Sequence, residues 1–463
     1  MRLSLPRALI CGLVPMLVHS AGNAQSNAVA TAQMPGVASS PAIASSPQLS
    51  DAPSAGDLQS SLTLTDAEAR ALKNEPRLLA EQFRAQAANK RVTGSRSGYF
   101  PQVFGNLTAV DANGDSAVAA GALTTSSIST RAAGGASLVQ MITDFGHTSN
   151  LVQSARLQAN AAGQDEESTR QSVLMQVREA YFAAQGAESI RKTAQAVLEF
   201  RRVTLRQLTA LAQSQLRSTL DVQFAQVMVS EAELAVVRAD SNVQKAQAQL
   251  AASMGEEGNT NYTLADEPLP ASPDADPAGY LDEAIANRPD LKALRLQSES
   301  ATHEARAERD LNYPTVNALA AGGEIPIHDS TIHHDYGAVG ININVPIFNG
   351  GLYTARAAEA KLEAKAAGKD ASLREVEIVR DVRMAWADAR DAYLQIDVTQ
   401  RLGDEADVAM RLAQARYDAG LGSIVELNQA ELNQTSALIT AASARFDYLR
   451  SMTAFQFALG DLH

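Results

Sequence analysis

The clearest pattern along the chain is an apolar stripe at alternating steps of three and four residues: Val379, Val382, Trp386, Ala389, Tyr393 and Ile396. That spacing marks one face of a long helix packed as in a coiled coil. No proline occurs between residues 102 and 267, and none follows Pro346. A helix from about Gly351 to Tyr417 would be ~100 Å long at about 1.5 Å per residue, too long for one globular domain. The period changes to two at Ile341-Asn342-Ile343-Asn344-Val345-Pro346-Ile347, which predicts a strand. Pro346 falls on its polar phase, where a lost ladder bond suits the strand's end. Ala136 to Ile142 predicts a second strand with less clean alternation.

The pattern occurs twice. Ala-Leu-Lys-Asn-Glu-Pro at 71–76 matches Ala-Ile-Ala-Asn-Arg-Pro at 284–289, an offset of 213 that also carries Leu78 onto Leu291 and Pro101 onto Pro314. Beyond the next loop the offset is 205. It carries Asp144 onto Asn349, Gly146 onto Gly351, Tyr181 onto Trp386, Ser218 onto Ser423 and Gly255 onto Gly460. The change falls in a Gly/Ser/Thr-rich stretch, where loops tolerate altered length. Such self-similarity is an internal duplication. Each half predicts a helix (66–97 and 279–311), a strand, a loop, a strand, a very long helix, a tip turn and a long returning helix. The tips fall at about 211–221 and 416–426. Repeat 1 spans 61–255, a Pro- and Asp-rich linker 256–278, and repeat 2 spans 279–463. Tyr181 and Trp386 read as helix-packing residues.

Residues 1–24 read as a secretory signal. Arg2 and Arg7 precede the short apolar run Leu9–Val18, and Gly22 and Ala24 supply the small residues for cleavage after Ala24. Cys11, the sole cysteine, follows Ile10 rather than a small residue, which disfavours lipidation. The mature chain is then free of cysteine, as suits an oxidising compartment. Residues 25–60, rich in Ala, Ser and Pro, read as a disordered leader. The net charge of −13 argues against nucleic acid as a partner. Aromatics are only 5% of the chain, so the helices must pack through small side chains. No later stretch approaches the ~20 apolar residues of a spanning helix, so a membrane role requires a β-barrel.

Two halves supply four strands. Closed membrane barrels begin at about eight, and an open edge in lipid leaves backbone groups unpaired. The chain must therefore share strands with further copies. The fold class expected is long helices plus four strands contributing to a shared barrel.

At this level the chain resembles the TolC family of outer-membrane efflux and secretion channels. The resemblance lies in Gly-Tyr-Phe-Pro-Gln (98–102) and Asn-Tyr-Pro (312–314) before strands. It lies also in Asp-Phe-Gly (144–146) and Phe-Asn-Gly-Gly (348–351) where strand becomes helix, and in Ala-Arg-Tyr-Asp-Ala-Gly-Leu-Gly-Ser-Ile-Val-Glu-Leu-Asn-Gln-Ala-Glu-Leu (415–432). It covers roughly 60–463. Pro101, Asp144, Gly146, Pro314, Asn349 and Gly351 become the barrel-to-helix junctions. The resemblance implies a homotrimer in the outer membrane, with a 12-stranded barrel in lipid and a periplasmic tube of helices. It further implies opening by a periplasmic adaptor and an inner-membrane transporter, no cofactor and no catalysis.

It also implies site residues. Tyr417 and Asp221 stand where a closing hydrogen bond joins the two hairpin tips. Glu426 matches the first acidic position of a constriction ring; Gln429 occupies the second, leaving one charge per copy. Gly422 replaces the family's tip arginine. The adaptor-docking turns are Gln215, Leu216, Arg217 and Ser218, and Gly420, Leu421, Gly422 and Ser423, with Gln215 where glycine is usual. From the residues alone, Tyr417 reads equally as a packing residue. Asp221 reads equally as a first-turn acid favoured by the helix dipole, and Glu426 as part of a solvated face. His328, His333 and His334 share a loop, a weak metal candidate beside the reading as a polar surface loop.

A periplasmic coiled-coil adaptor or a structural assembly protein would share the signal, the acidity and the heptads. It would not require paired strands at the far end of both long helices. An enzyme fits least, because no phosphate loop, paired metal ligands or nucleophile elbow is legible.

Overall fold

The computed structural model describes residues 61–111, 116–120, 123–128, 131–257, 261–328 and 333–462. The expected signal segment and leader lie outside the described residues.

Helices α1 (Leu64–Asn74) and α2 (Pro76–Arg96) open the first repeat, and α5 (Ala278–Asn287) and α6 (Pro289–Asp310) open the second. The sequence predicts one helix in each place. Glu75 and Arg288 instead take extended backbone (ψ 114° and 120°) because the residue before proline is pushed out of the helical region. The proline then restarts the helix at its first position, where its missing N–H costs nothing.

The strands β1 (Gln102–Val110), β4 (Arg131–Thr143), β5 (Thr315–Ile327) and β6 (Asp335–Asn344) form one antiparallel sheet in the order β1-β4-β5-β6. A separate hairpin, β2 (Ser116–Ala120) with β3 (Leu123–Ile128), extends the first repeat's loop and was not expected. β6 stops at Asn344, two residues short of Pro346. The register aligns Val103, Leu138, Ala320 and Val339 in one row across all four strands. Ile341 and Ile343 continue that face, and Leu107 and Val339 on it are 91% and 90% exposed. The neighbouring rows on the other face are Phe104-Ser137-Ala321-Ala338 and Asn106-Gly135-Gly323-Tyr336. Among the described residues β1 and β6 are paired on one side only.

From the sheet two helices of 67 residues each run away, α3 (His147–Gln213) and α7 (Leu352–Asp418), about 100 Å apiece. Their returning partners are α4 (Thr219–Ser253) and α8 (Ile424–Leu459). α3 packs against α2, α4, α6 and α8, and α7 against α6 and α8. The helices therefore lie side by side as α4-α3-α8-α7 towards the tips and α2-α3-α6-α7 towards the sheet.

Two cores, one per repeat, use equivalent positions. Ala71, Leu78, Val173, Val177, Ala184 and Leu250 in one correspond to Ala284, Leu291, Ile378, Val382, Ala389 and Phe455 in the other. The buried stripe of α7 differs in part from the predicted one. Val382 and Ala389 are shared, but Ile378 and Ala392 are buried where Val379 and Tyr393 were expected. Small residues allow close helix approach, and Tyr393 instead meets Tyr448 edge-on at 5.2 Å. Tyr181 and Trp386 do more than pack. Tyr181 Oη donates to the carbonyls of Leu62 and Ala265 (2.8 and 2.7 Å), and Trp386 Nε1 to that of Asp274 (2.9 Å), tying the linker to both long helices.

Candidate functional site: the paired hairpin tips

Both tips are built alike. α3 ends at Gln213 and α4 starts at Thr219, with the Ser218 hydroxyl accepting from the Leu220 N–H. α7 ends at Asp418 and α8 starts at Ile424, with the Ser423 hydroxyl accepting from the Glu426 N–H. These are serine N-caps, which satisfy an otherwise orphaned donor. Gly420 turns the chain with φ +75°, and at the equivalent place Gln215 takes φ +57°. Glycine enters that region without steric cost, whereas glutamine does so under strain. Leu216 and Leu421, equivalent in the duplication, project from the two turns at 70% and 73% exposure.

Tyr417 and Asp221 meet: the phenol donates to Asp221 Oδ2 at 2.7 Å, joining the second hairpin to the first. The ring is buried in a small cluster with Leu208, Ala225, Ala413 and Leu427. Burial, then the Asp221 carboxylate, pushes the Tyr417 phenol far above its ordinary pKa, so it remains a donor. Packing and bonding, offered as alternatives by the sequence, coexist. So do the bond and the first-turn position of Asp221.

Glu426 is paired with Arg416 (Nε to Oε1, 3.1 Å) within its own hairpin. Gln429 donates to Asn433 at 3.0 Å along α8. Gly422 donates its N–H to the Arg416 carbonyl. Arg217 does not project freely. Nη2 donates to the Tyr417 carbonyl at 2.5 Å and approaches that of Asp418 at 3.3 Å, and the guanidinium carbon lies 4.2 Å over the Tyr417 ring.

Roughly two to three turns above the tip lies a pair that sequence reasoning missed. Arg201 and Glu431 are both buried, on α3 and α8. Arg201 donates to the Met228 carbonyl (3.1 Å) and to Thr435 Oγ1 (3.2 Å) and lies 3.9 Å from Glu231. Burial raises the Glu431 carboxyl above the ordinary glutamate value, with Arg201 pulling it down in part. A carboxyl raised in the folded state favours folding below 4.5 and loses that contribution as pH rises through the folded value. Glu431→Gln is therefore expected to raise the thermal midpoint by a few degrees near neutral pH. The gain should vanish below about pH 4.5, as differential scanning calorimetry across pH would record. A gain independent of pH would refute this electrostatic origin.

At the junctions Asp144 caps α3, Oδ1 accepting from the Gly146 N–H (3.2 Å) and Oδ2 from that of Thr148 (2.7 Å). Asn349 accepts from the Leu352 N–H through its main-chain oxygen (3.3 Å). Gly146 and Gly351 both precede their helices with positive φ. Pro101 and Pro314 immediately precede β1 and β5 by one residue each. The His328 and His334 rings lie 6.0 Å apart. Among the described residues no group of three or more His, Cys, Asp or Glu is placed to hold a metal ion, and no helix is long and apolar enough to cross a membrane.

Protein CyaE of Bordetella pertussis is 26% identical over 301 residues, covering 64% of this chain and 63% of CyaE. Outer membrane protein TolC of Vibrio cholerae is 24% identical over 428 residues, 86% of this chain and 91% of TolC. Among solved structures, the outer-membrane channel OprN superposes with a TM-score of 0.76 at 21% identity, covering 86% of this chain and 89% of OprN. The outer-membrane channel CmeC of Campylobacter jejuni gives 0.73 at 18%, over 86% and 85%. The sequence model described as outer membrane efflux protein matches residues 69–256 and 280–461, once in each half. A match over most of the length, on a four-stranded sheet feeding two long helical hairpins, identifies the chain as a member of the outer membrane efflux protein family.

Proposed function

We propose that three copies of this chain form a passive exit duct through the outer membrane and periplasm, closed at the hairpin tips until a periplasmic adaptor and an inner-membrane transporter engage it. The observation that carries this reading is the sheet with two open edges. Its four strands alternate in direction, so β6 of one copy meets β1 of the next antiparallel. The contact is heterologous and closes by rotation. Three copies give twelve strands, and the apolar row Val103-Leu138-Ala320-Val339 then faces lipid.

The helices support the same operator. α4 leaves Leu220, Val227 and Leu234 exposed at heptad spacing on one flank, and α7 leaves Leu394, Val398 and Leu402 exposed on the other. Both stripes need a neighbour. The duct performs no chemistry. Its partners are other copies, lipid, adaptor and transporter.

The test is direct. Purified mature protein in detergent should have the mass of a trimer and run as a heat-modifiable oligomer, and it should give discrete conductance steps in a planar bilayer. A monomer that stays in the aqueous phase and leaves bilayers silent would refute the reading.

A further inference from the structure

We propose that Arg217, in the first tip turn, is a latch holding the second hairpin closed, and that it supplies the cationic restraint which the second turn lacks. The inference rests on the exit-duct reading and goes beyond it: a turn read as a docking surface carries a closing contact of its own.

The geometry is specific. The second turn, Gly420-Leu421-Gly422-Ser423, has no basic side chain. The nearby Arg416 is engaged inside its own hairpin, by Glu426 at 3.1 Å and the Leu421 carbonyl at 3.3 Å. Arg201 crosses higher up, to Thr435, and among the described residues of the two turns Arg217 is the cation that crosses from one hairpin to the other. It ends on the last turn of α7, where carbonyls lack helical partners and the helix dipole is negative. The Tyr417 carbonyl accepts from the Gly420 N–H at 2.9 Å, and Arg217 takes its second lone pair.

The guanidinium grips three parts of one short segment: the Tyr417 carbonyl, the Asp418 carbonyl and the Tyr417 ring face. A planar fork stacked on an aromatic suits arginine and not lysine. Asp221 holds the same tyrosine by its hydroxyl. Tyr417 is thus held from opposite ends by two residues of the first hairpin, four positions apart, and cannot move with α7 until both release. Arg217 also follows the exposed Leu216 directly. A partner seated on Leu216 and offering a carboxylate would compete for the guanidinium, which couples docking to release.

The experiment compares conductance of the full-length channel in planar bilayers without partners. The variants are Arg217→Ala, Arg217→Lys and, as reference for a released tip, Asp221→Ala with Tyr417→Phe. Arg217 is half-buried in an otherwise exposed turn away from both main cores, and heat-modifiable mobility verifies assembly of each variant. Arg217→Ala is expected to raise conductance several-fold. Arg217→Lys should fall between wild type and alanine, because the ammonium keeps the charge at the helix end but loses the fork. If the reference opens while Arg217→Ala stays at the wild-type value, the latch is refuted and the gate stands. A lysine channel as tight as wild type would also overturn the latch, since the stacked fork over the Tyr417 ring would then restrain nothing. If neither the reference nor Arg217→Ala changes conductance, the gate reading fails and takes the latch with it.

Discussion

Channels carrying Asp221→Ala together with Tyr417→Phe should conduct several-fold more than wild type in bilayers without any partner. The bond they lose, 2.7 Å from phenol to carboxylate, links two hairpins that otherwise meet at the tip through a small apolar cluster and the Arg217 contacts. A hydrogen bond to a charged group contributes roughly 1.5–3 kcal/mol net. In a closed-to-open equilibrium that is a shift of roughly ten- to a hundredfold, about 1.4 kcal/mol per tenfold. The double variant is the informative one. Tyr417→Phe alone leaves the Asp221 carboxylate without its donor, and Asp221→Ala alone strands a buried hydroxyl. Removing both avoids an orphaned polar group. Phenylalanine keeps the ring against Leu208, Ala225, Ala413 and Leu427, so the oligomer should remain intact. Conductance at the wild-type value would remove the gate assignment and leave the fold untouched.

Much of this architecture is legible in the sequence, for a physical reason. A duplicated sequence reports each element twice, so Asp144 with Gly146 and Asn349 with Gly351 mark the same strand-to-helix corner independently. Proline punctuation fixed the extent of the long helices. What stayed hidden depends on partners remote in sequence. The break at Glu75 and Arg288 was available from the proline rule, but helical periodicity on both sides masked it. Beyond Ile378, the buried stripe of α7 runs through Ala392, Thr399 and Gly403, residues whose small size, not hydrophobicity, qualifies them for close packing. Propensity does not announce such positions. The sequence places Arg217 in a docking turn and gives no sign of its contacts, because its acceptors are carbonyls 200 residues away. Main-chain acceptors leave no trace in side-chain patterns. Arg201 and Glu431 were hidden likewise: each sits in an ordinary polar helix segment, and only the crossing of α3 with α8 buries them together.

Gly323→Val should abolish assembly of the oligomer in the outer membrane. Gly323 lies in the row Asn106-Gly135-Gly323-Tyr336, next to an irregularity of β4 between Ala132 and Gly134. A Cβ there would stand 2.3 Å from the Gly134 carbonyl oxygen, 2.7 Å from Gly135 Cα and 2.8 Å from Tyr336 Oη. The tyrosine can rotate away, but the two main-chain atoms can retreat only by parting β4 from β5. Among the described residues of one copy, that pairing is where a strand of the first repeat joins a strand of the second. Overpacking of side chains alone costs about 1–3 kcal/mol; displacing a central ladder adds lost backbone bonds that lipid cannot replace. The cost recurs in every copy, and a barrel that fails to close in one copy stays open in all. Outer-membrane fractions of the variant should therefore lack the heat-modifiable oligomer, with the chain degraded or aggregated in the periplasm. Gly337→Ala is the matched control. It lies in the same sheet, and a Cβ there meets nothing within 4 Å, so assembly should be normal. The two outcomes together separate a steric demand at the β4–β5 seam from a general intolerance of the sheet to side chains. Normal assembly of Gly323→Val would mean that the two repeats are not joined in this register.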